Sequence, residues 1–234
     1  MKRYPVGDDL AQNIGGQWVW HGQGIQTRIG LVGRGPETQL TRILSLLTDA
    51  PRRAARLRQV HSSTVIQASE GLCGEADALF TDAADLTMAV ATADCLPVVL
   101  SGKCQSAAVH AGWRGLAGGI LRRTLQRLAD PAEELAAWIG PGIGPCCYEV
   151  GQDVADRVAD SSSSDVVVSR GSGAQHLDLM QAAKIQLAAA GVQEISSLPL
   201  CTCCEAERLW SYRREGPSAG RNWTLVWRSN STAS

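Results

Sequence analysis

Three residues could together do chemistry that none does alone: His61 in RQVHSS, Cys95 in TADCLP and His110 in AAVHAGW. Imidazole and thiolate are borderline-to-soft ligands, and three of them with a fourth position left open suit a catalytic zinc ion. The chain has only four histidines, His21, His61, His110 and His176, so any imidazole mechanism draws on a short set. Two other readings stay open. Each residue could simply be packed and hydrogen-bonded at a strand end, or Cys95 could be a nucleophile with His110 as its base, because a Cys and a His far apart in sequence can meet in a fold. Ligands separated by dozens of residues carry no spacing signature that chooses among the three.

The remaining thiols and the glycine turns are weaker candidates. Cys146 with Cys147, and Cys201 with Cys203 and Cys204 in LCTCCEAE, could form a cysteine-only zinc site or a redox pair. Adjacent cysteines diverge on an extended chain, so the spacing favours a role as buried small side chains. The turns AGWRGLAGG and IGPGIGP could aim backbone N–H groups at a phosphate, but neither matches a dinucleotide fingerprint or a P-loop. Arg114, inside HAGWRG, makes the first turn the better anion candidate; its plain alternative is a surface salt bridge.

These residues must be positioned by regular elements. From Arg58 the chain reads as short apolar runs, LRQVHSSTVIQA, ADALFTD, LTMAVATADCLPVVLSG and CQSAAVHAGWRG, which predict successive strands. His61, Cys95 and His110 fall at the ends of such runs, where a rigid element can aim a side chain into a cleft. Residues 1–35 predict one or two short strands joined by glycine turns. ETQLTRILSLL predicts a helix stopped by Pro51, and GLAGGILRRTLQRLAD predicts one amphipathic helix. LAAWIG predicts a buried strand, YEVGQDVADRVAD a helix, and LDLMQAAKIQLAAAG a helix closed by Gly191. EISSLPL, RLWSYRR and NWTLVWR predict strands, and SNSTAS a polar tail. The expected organisation is a single domain over residues 1–228 with a disordered tail at 229–234.

Bulk composition narrows the partners. With 22 basic and 23 acidic residues, the net charge of -1 offers no broad field for nucleic acid or anionic lipid, so a small bound molecule is the expected partner. The start of the chain has no apolar run fit for a secretory signal, and no stretch of roughly 18 apolar residues could span a membrane. A cytoplasmic protein is expected, with its eight cysteines mostly reduced. Arg52, Arg53, Arg56 and Arg58 read as a solvated basic face. Seven tryptophans beside one phenylalanine read first as core residues.

Taken in order, RQVHSSTV, EADALFTD, ATADCLPVVL, VHAGWRGL, IGPGIGPCCYEVG, LDL and CTCC with SYRREG and GR resemble one family, the laccase-domain or peptidoglycan-editing-factor-like purine nucleoside phosphorylases. The likeness runs from about Arg58 to Trp227. It implies an α/β domain of mixed sheets flanked by helices, with a metal site made by His61, Cys95 and His110. Zn²⁺ is the implied metal, and Cu²⁺ could displace it. The implied reactions are phosphorolysis of adenosine, inosine, guanosine and methylthioadenosine to base and ribose 1-phosphate, and deamination of adenosine to inosine. The implied partners are therefore a purine nucleoside and orthophosphate.

Within that resemblance Asp77, in EADAL, is the candidate for moving protons, its alternative being a turn cap; Asp94, beside the Cys ligand, is a candidate orienting group. Arg114 or Arg42 could bind the phosphate. The likeness fails near the N-terminus, where family members carry Gly-Gly-Val-Ser, Ser-Leu-Asn-Leu and an Asn-Arg pair, and this chain has only GGQW and Thr41-Arg42. Altered substrate contacts are expected there. Rival readings are a copper polyphenol oxidase, against which four histidines count heavily, a cysteine-nucleophile amidase acting on cell-wall precursors, and a non-catalytic metal-binding scaffold.

Overall fold

The computed structural model describes residues 7–170 and 173–229. In chain order the strands are β1 (Ala11–Ile14), β2 (Gln17–Gln23), β3 (Thr27–Val32), β4 (Ala54–Arg58), β5 (Val65–Gln67), β6 (Gly71–Glu75), β7 (Ala78–Thr81) and β8 (Thr87–Thr92). They continue as β9 (Leu96–Ser101), β10 (Ser106–Ala111), β11 (Ala136–Ile139), β12 (Glu149–Val150), β13 (Val167–Arg170), β14 (Ala174–Leu177), β15 (Glu194–Ser197) and β16 (Asn222–Arg228). The helices are α1 (Leu40–Ser45), α2 (Trp113–Ala117), α3 (Ile120–Leu125), α4 (Gln152–Asp160), α5 (Leu179–Ala189) and α6 (Tyr212–Glu215).

The strands form three sheets. A seven-stranded sheet has the order β1-β2-β3-β16-β8-β4-β6, a six-stranded sheet the order β15-β11-β9-β10-β7-β5, and a small one the order β12-β14-β13. Both large sheets are mixed: β4 runs parallel to β6 and β8, β5 to β7, and β11 to β15, while the other pairs are antiparallel. The expected α/β architecture of mixed sheets flanked by helices is what forms.

Alternating side chains divide the layers, because successive residues of a strand face opposite sides of a sheet. Val99 and Ala108 pack with Trp20, Leu31, Met88 and Val226 between the two large sheets. Their neighbours Val98, Leu100, Ala107 and Val109 pack instead with Leu116, Ile120, Leu121 and Leu187 under the helices. On the far face of the seven-stranded sheet, Ile43, Leu44 and Leu47 cover Val19, Val32, Leu225 and Trp227. Three of the tryptophans, Trp20, Trp138 and Trp227, are therefore core residues.

Several expected elements differ. The helix expected over GLAGGILRRTLQRLAD is two short ones, broken at Gly118 and Gly119, the latter left-handed at φ 74°. RLWSYRR is not a strand. Ser211 accepts the Arg214 N–H at 3.3 Å and caps the turn of α6. The Arg214 guanidinium then donates to the carbonyls of Thr202, Cys203 and Leu209, so side-chain bonds replace a ladder. Strands β6 and β14 were not expected, since glycine-rich GLCGE and polar AQHL lack an apolar pattern. Arg53 pairs with Glu70 and Asp85 and Arg58 with Glu75, all at the surface, as a solvated basic face requires. Of the expected tail only Ser229 lies within the described residues, its N–H bonded to the Gln26 carbonyl at 3.0 Å. No described helix is long and apolar enough to cross a membrane.

Candidate metal centre and its cavity

Three connections carry the chain from the seven-stranded to the six-stranded sheet: β4 to β5, β6 to β7 and β8 to β9. Each delivers one residue to the same place, His61, Asp77 and Cys95 respectively. The fourth member, His110, comes from β10 and is paired across the sheet with Pro97. Turns between sheets are where the backbone leaves its ladder, and two residues in these turns are strained: His61 has φ 59° and Asp94, next to Cys95, has φ 92°. Left-handed backbone at non-glycine residues costs on the order of 1–3 kcal/mol each and persists where surrounding bonds enforce it.

Asp77 supplies that enforcement at His61. It is fully buried, and its carboxylate accepts N–H bonds from Val60 (3.3 Å), His61 (3.0 Å) and Ser62 (2.6 Å) and the Ser62 hydroxyl (2.7 Å). Its Oδ1 also meets His110 Nδ1 at 2.7 Å, which leaves Nε2 of that ring for a ligand. Cys95 Sγ lies 3.8 Å from His61 Nε2, and the donor atoms of His61, Cys95 and His110 all fall within 4.8 Å of one another. Tetrahedral zinc, with Zn–S of about 2.3 Å and Zn–N of about 2.0–2.1 Å, would set S and N roughly 3.6 Å apart. The trio therefore fits a single cation. Gly112 makes the fit possible, because a Cβ there would stand 2.8 Å from Cys95 Sγ and 3.2 Å from His61 Cδ2.

The electrostatics lower the Cys95 thiol toward thiolate and hold His110 in its charged form, whose proton a bound cation would displace. Burial alone would raise the Cys95 thiol, but hydrogen bonds to His110 and His61 overcome it and bring the group down to about 7. Burial likewise opposes charge on His110, yet its bonds to Asp77 and Cys95 raise it to about 9. Asp77, despite its burial, is held down at about 2 by His110 and Ser62. A negative cluster of thiolate and carboxylate around imidazole is an environment that a cation would complete.

The trio forms part of the wall of a cavity of about 500 Å³, within the usual size of a small-molecule site. Trp113, Tyr148 and Tyr212 give it aromatic surface, and Arg114, Arg213 and Arg221 give it charge. Arg213 donates to the carbonyls of Cys147 and Glu149 at 3.0 Å, and Arg221 to those of Ala219 and Gly220 at 2.9 Å. Arg114 stacks on Trp113 with its guanidinium carbon 4.4 Å from the ring centre. Among the described residues, none of the three is within salt-bridge distance of a carboxylate. Asp94 is the one acidic residue on the wall among the described residues; its oxygens accept the Thr202 hydroxyl and the Arg213 backbone N–H, both at 2.6 Å. Burial and the nearby Cys95 charge push Tyr148 up to about 12, so it stays a neutral O–H donor.

The structure thus brings together His61, Cys95, His110, Asp94 and Arg114, and it gives the two aspartates different settings. Asp77 is enclosed and does not line the cavity; it bonds His110 and caps the His61 turn, the alternative its sequence left open. Asp94 faces the cavity. Arg42 sits on α1, exposed and 3.7 Å from Glu37, and is not among the lining residues. Arg213 and Arg221 were missed as site residues, although SYRREG and GR place them in the resembling motifs. The expectation that the paired cysteines are only small buried side chains is also overturned. The thiols of Cys146, Cys147, Cys201 and Cys204 converge within 4.8 Å of one another, two of these residues being exposed. Both segments are helical turns, with Tyr148 N–H bonded to Gly144 O and Glu205 N–H to Cys201 O, so neighbouring side chains do not point to opposite sides.

Fold and site together define an α/β protein with a His/Cys/His cluster able to hold a metal ion, set in a pocket where two mixed sheets adjoin. Residues 37–229 match the family described as multi-copper polyphenol oxidoreductase laccase, and the chain belongs to that family. It is 38% identical over 180 residues to a Pseudomonas aeruginosa protein named purine nucleoside phosphorylase, covering 75% of this chain and 74% of that one. To the Escherichia coli purine nucleoside phosphorylase YfiH it is 37% identical over 188 residues, covering 76% and 74%. A crystal structure of a Neisseria meningitidis protein superposes with a TM-score of 0.82 at 30% identity, covering 94% of this chain and all of that one. YlmD from Geobacillus stearothermophilus superposes with a TM-score of 0.81 at 25% identity, covering 94% and 99%.

Proposed function

We propose that the protein is a metal-dependent purine nucleoside phosphorylase, converting adenosine, inosine, guanosine and methylthioadenosine with orthophosphate to free base and ribose 1-phosphate. The observation that carries this reading is three guanidinium groups, Arg114, Arg213 and Arg221, without carboxylate partners on the wall of one aromatic-lined cavity. A phosphate dianion is the partner that such a set lacks. The relatives named purine nucleoside phosphorylase support the choice of substrate.

In the reaction, a phosphate oxygen forms a bond to C1′ as the bond from C1′ to the purine nitrogen breaks, its electron pair leaving with the base. The arginines hold the phosphate and offset its charge as it reaches the ribose. Trp113, Tyr148 and Tyr212 offer faces for the purine. The Tyr148 hydroxyl, kept protonated, donates a hydrogen bond to the departing ring. His61, Cys95 and His110 would hold the divalent cation, for which zinc suits the donor set and copper could substitute. When bound, it would supply Lewis acidity.

Deamination of adenosine to inosine belongs to the same proposal: water replaces the 6-amino group and ammonia leaves. Asp94, the only acidic side chain on the cavity wall among the described residues, takes the proton-transfer role for which the resemblance made Asp77 a candidate. Eight free cysteines suit a reducing compartment, the cytoplasm. The oxidase suggested by the family description needs imidazoles for several coppers. His21 lines a different cavity and His176 lies on β14, so among the described residues only one cluster joins two imidazoles to a thiol.

The test is to incubate the full chain with adenosine, with and without orthophosphate, and identify products by mass spectrometry. Adenine and ribose 1-phosphate forming only with phosphate, together with some inosine, are expected. Absence of turnover at concentrations where a family member is active would favour a non-catalytic metal-binding scaffold.

A further inference from the structure

The four converging thiols lie outside the catalytic wall and are not used by the chemistry above. Cys146 and Cys147 sit on the turn that begins at Gly144, and Cys201 and Cys204 on the turn between β15 and α6. Cys204 Sγ is 3.6 Å from Cys146 Sγ and 3.5 Å from Cys147 Sγ. A tetrahedral zinc with Zn–S of about 2.3 Å places its sulfurs about 3.8 Å apart. The Gly144 N–H donates to Cys201 Sγ at 3.3 Å, tying the second turn to the first. Gly144 also leaves room: a Cβ there would come within 3.3 Å of Cys146 Sγ and 3.6 Å of Cys201 Sγ.

We propose that Cys146, Cys147, Cys201 and Cys204 form a second, structural metal site of the tetrathiolate type, binding zinc. On binding, four S–H groups release their protons and four Zn–S bonds form, leaving a net charge of -2 on the centre. Arg213, anchored on the Cys147 and Glu149 carbonyls, and Arg214, anchored on the Thr202 and Cys203 carbonyls, bring positive charge to the same two turns. Cys203 is excluded from the cluster and packs against the core beneath the helices. The site joins two turns that build the catalytic cavity: Tyr148 follows the first, and Thr202, which fixes the Asp94 carboxylate, belongs to the second. It has four protein ligands and no open position, as a structural site requires.

Metal analysis of the full chain, purified under reductant from zinc-supplemented cells, tests this. About two zinc ions per chain are expected, falling to about one in Cys95→Ser and to about one in the double variant Cys146→Ser/Cys204→Ser. Cobalt loaded into Cys95→Ser should give the charge-transfer and ligand-field bands of four thiolates around a tetrahedral ion. Should the cysteine variants fail to fold, titration of the wild-type chain with an organomercurial, with a dye to read zinc, expects one zinc released as the four clustered thiols react. A Cys95→Ser chain that binds no zinc under reductant would overturn the proposal. So would an as-purified wild-type chain whose intact mass shows these cysteines joined as disulfides.

Discussion

Asp77 never meets the cavity, yet at the scale of single residues it decides most. One carboxylate fixes the His110 ring, the strained His61 backbone and Ser62, so the orientation of both imidazoles depends on it. Asp77→Asn, similar in volume but uncharged, is expected to weaken metal affinity by about 10–100-fold, measured by competition with a chromogenic chelator; unchanged affinity would show that the imidazoles orient themselves. The sign of its pH effect follows from its acid constant, about 2 against an ordinary 3.8. Its contribution to stability is complete above 3.8 and is lost as pH falls toward 2, so acid unfolding of the wild type should be steeper in that window than that of the Asn variant. The ligands respond in the same direction at higher pH. Cys95 at about 7 and His110 at about 9 must both lose protons to bind a cation, so apparent affinity should climb as pH rises through that interval and level off above it. An affinity independent of pH there would count against these two residues as ligands.

At the scale of elements, the centre exists because three sheet-to-sheet connections end together and a helix start comes close enough to pack on them. Gly112 permits that approach. Gly112→Ala would press a methyl to 2.8 Å from the Cys95 sulfur, so the variant should fold with at most about 1–3 kcal/mol lost but bind little metal. Full metal occupancy in a folded alanine variant would show that the turn can yield. Much of this was readable beforehand: the apolar runs flanking His61, Cys95 and His110 did become strand ends, and the helix at 179–189 formed as its pattern required. Which sheet each strand would join was not readable, because period-two patterning fixes faces and not partners. The different settings of Asp77 and Asp94 follow from that: only pairing shows that one connection turns inward and the next lines the cavity. The thiol cluster was hidden for a local reason. Cys201 and Cys204 do stand at the spacing of a metal-binding knuckle, but the extra Cys203 and the assumption of extended backbone obscured it.

For the whole molecule, charge distribution outweighs net charge. A total of -1 says nothing of a cavity whose lining has three arginines and a single acid, Asp94, because the compensating charge is spread elsewhere. Arg114→Gln and Arg221→Gln should each raise the KM for phosphate about tenfold or more, with a smaller change in KM for the nucleoside. Equal effects on both substrates would mean that the guanidinium groups do not select phosphate. Arg213 is less suitable for this test, since it also ties two carbonyls of the turn carrying Cys147.

The claim on which the remainder rests is that His61, Cys95 and His110 grip one ion at the cavity wall. Anomalous diffraction across the zinc absorption edge, from crystals of the full chain grown without added metal, tests it most directly. The expected map has a peak within bonding distance of His61 Nε2, Cys95 Sγ and His110 Nε2, and loses it in Cys95→Ser. Wild-type crystals from catalytically active protein with no anomalous density among these three atoms would contradict it.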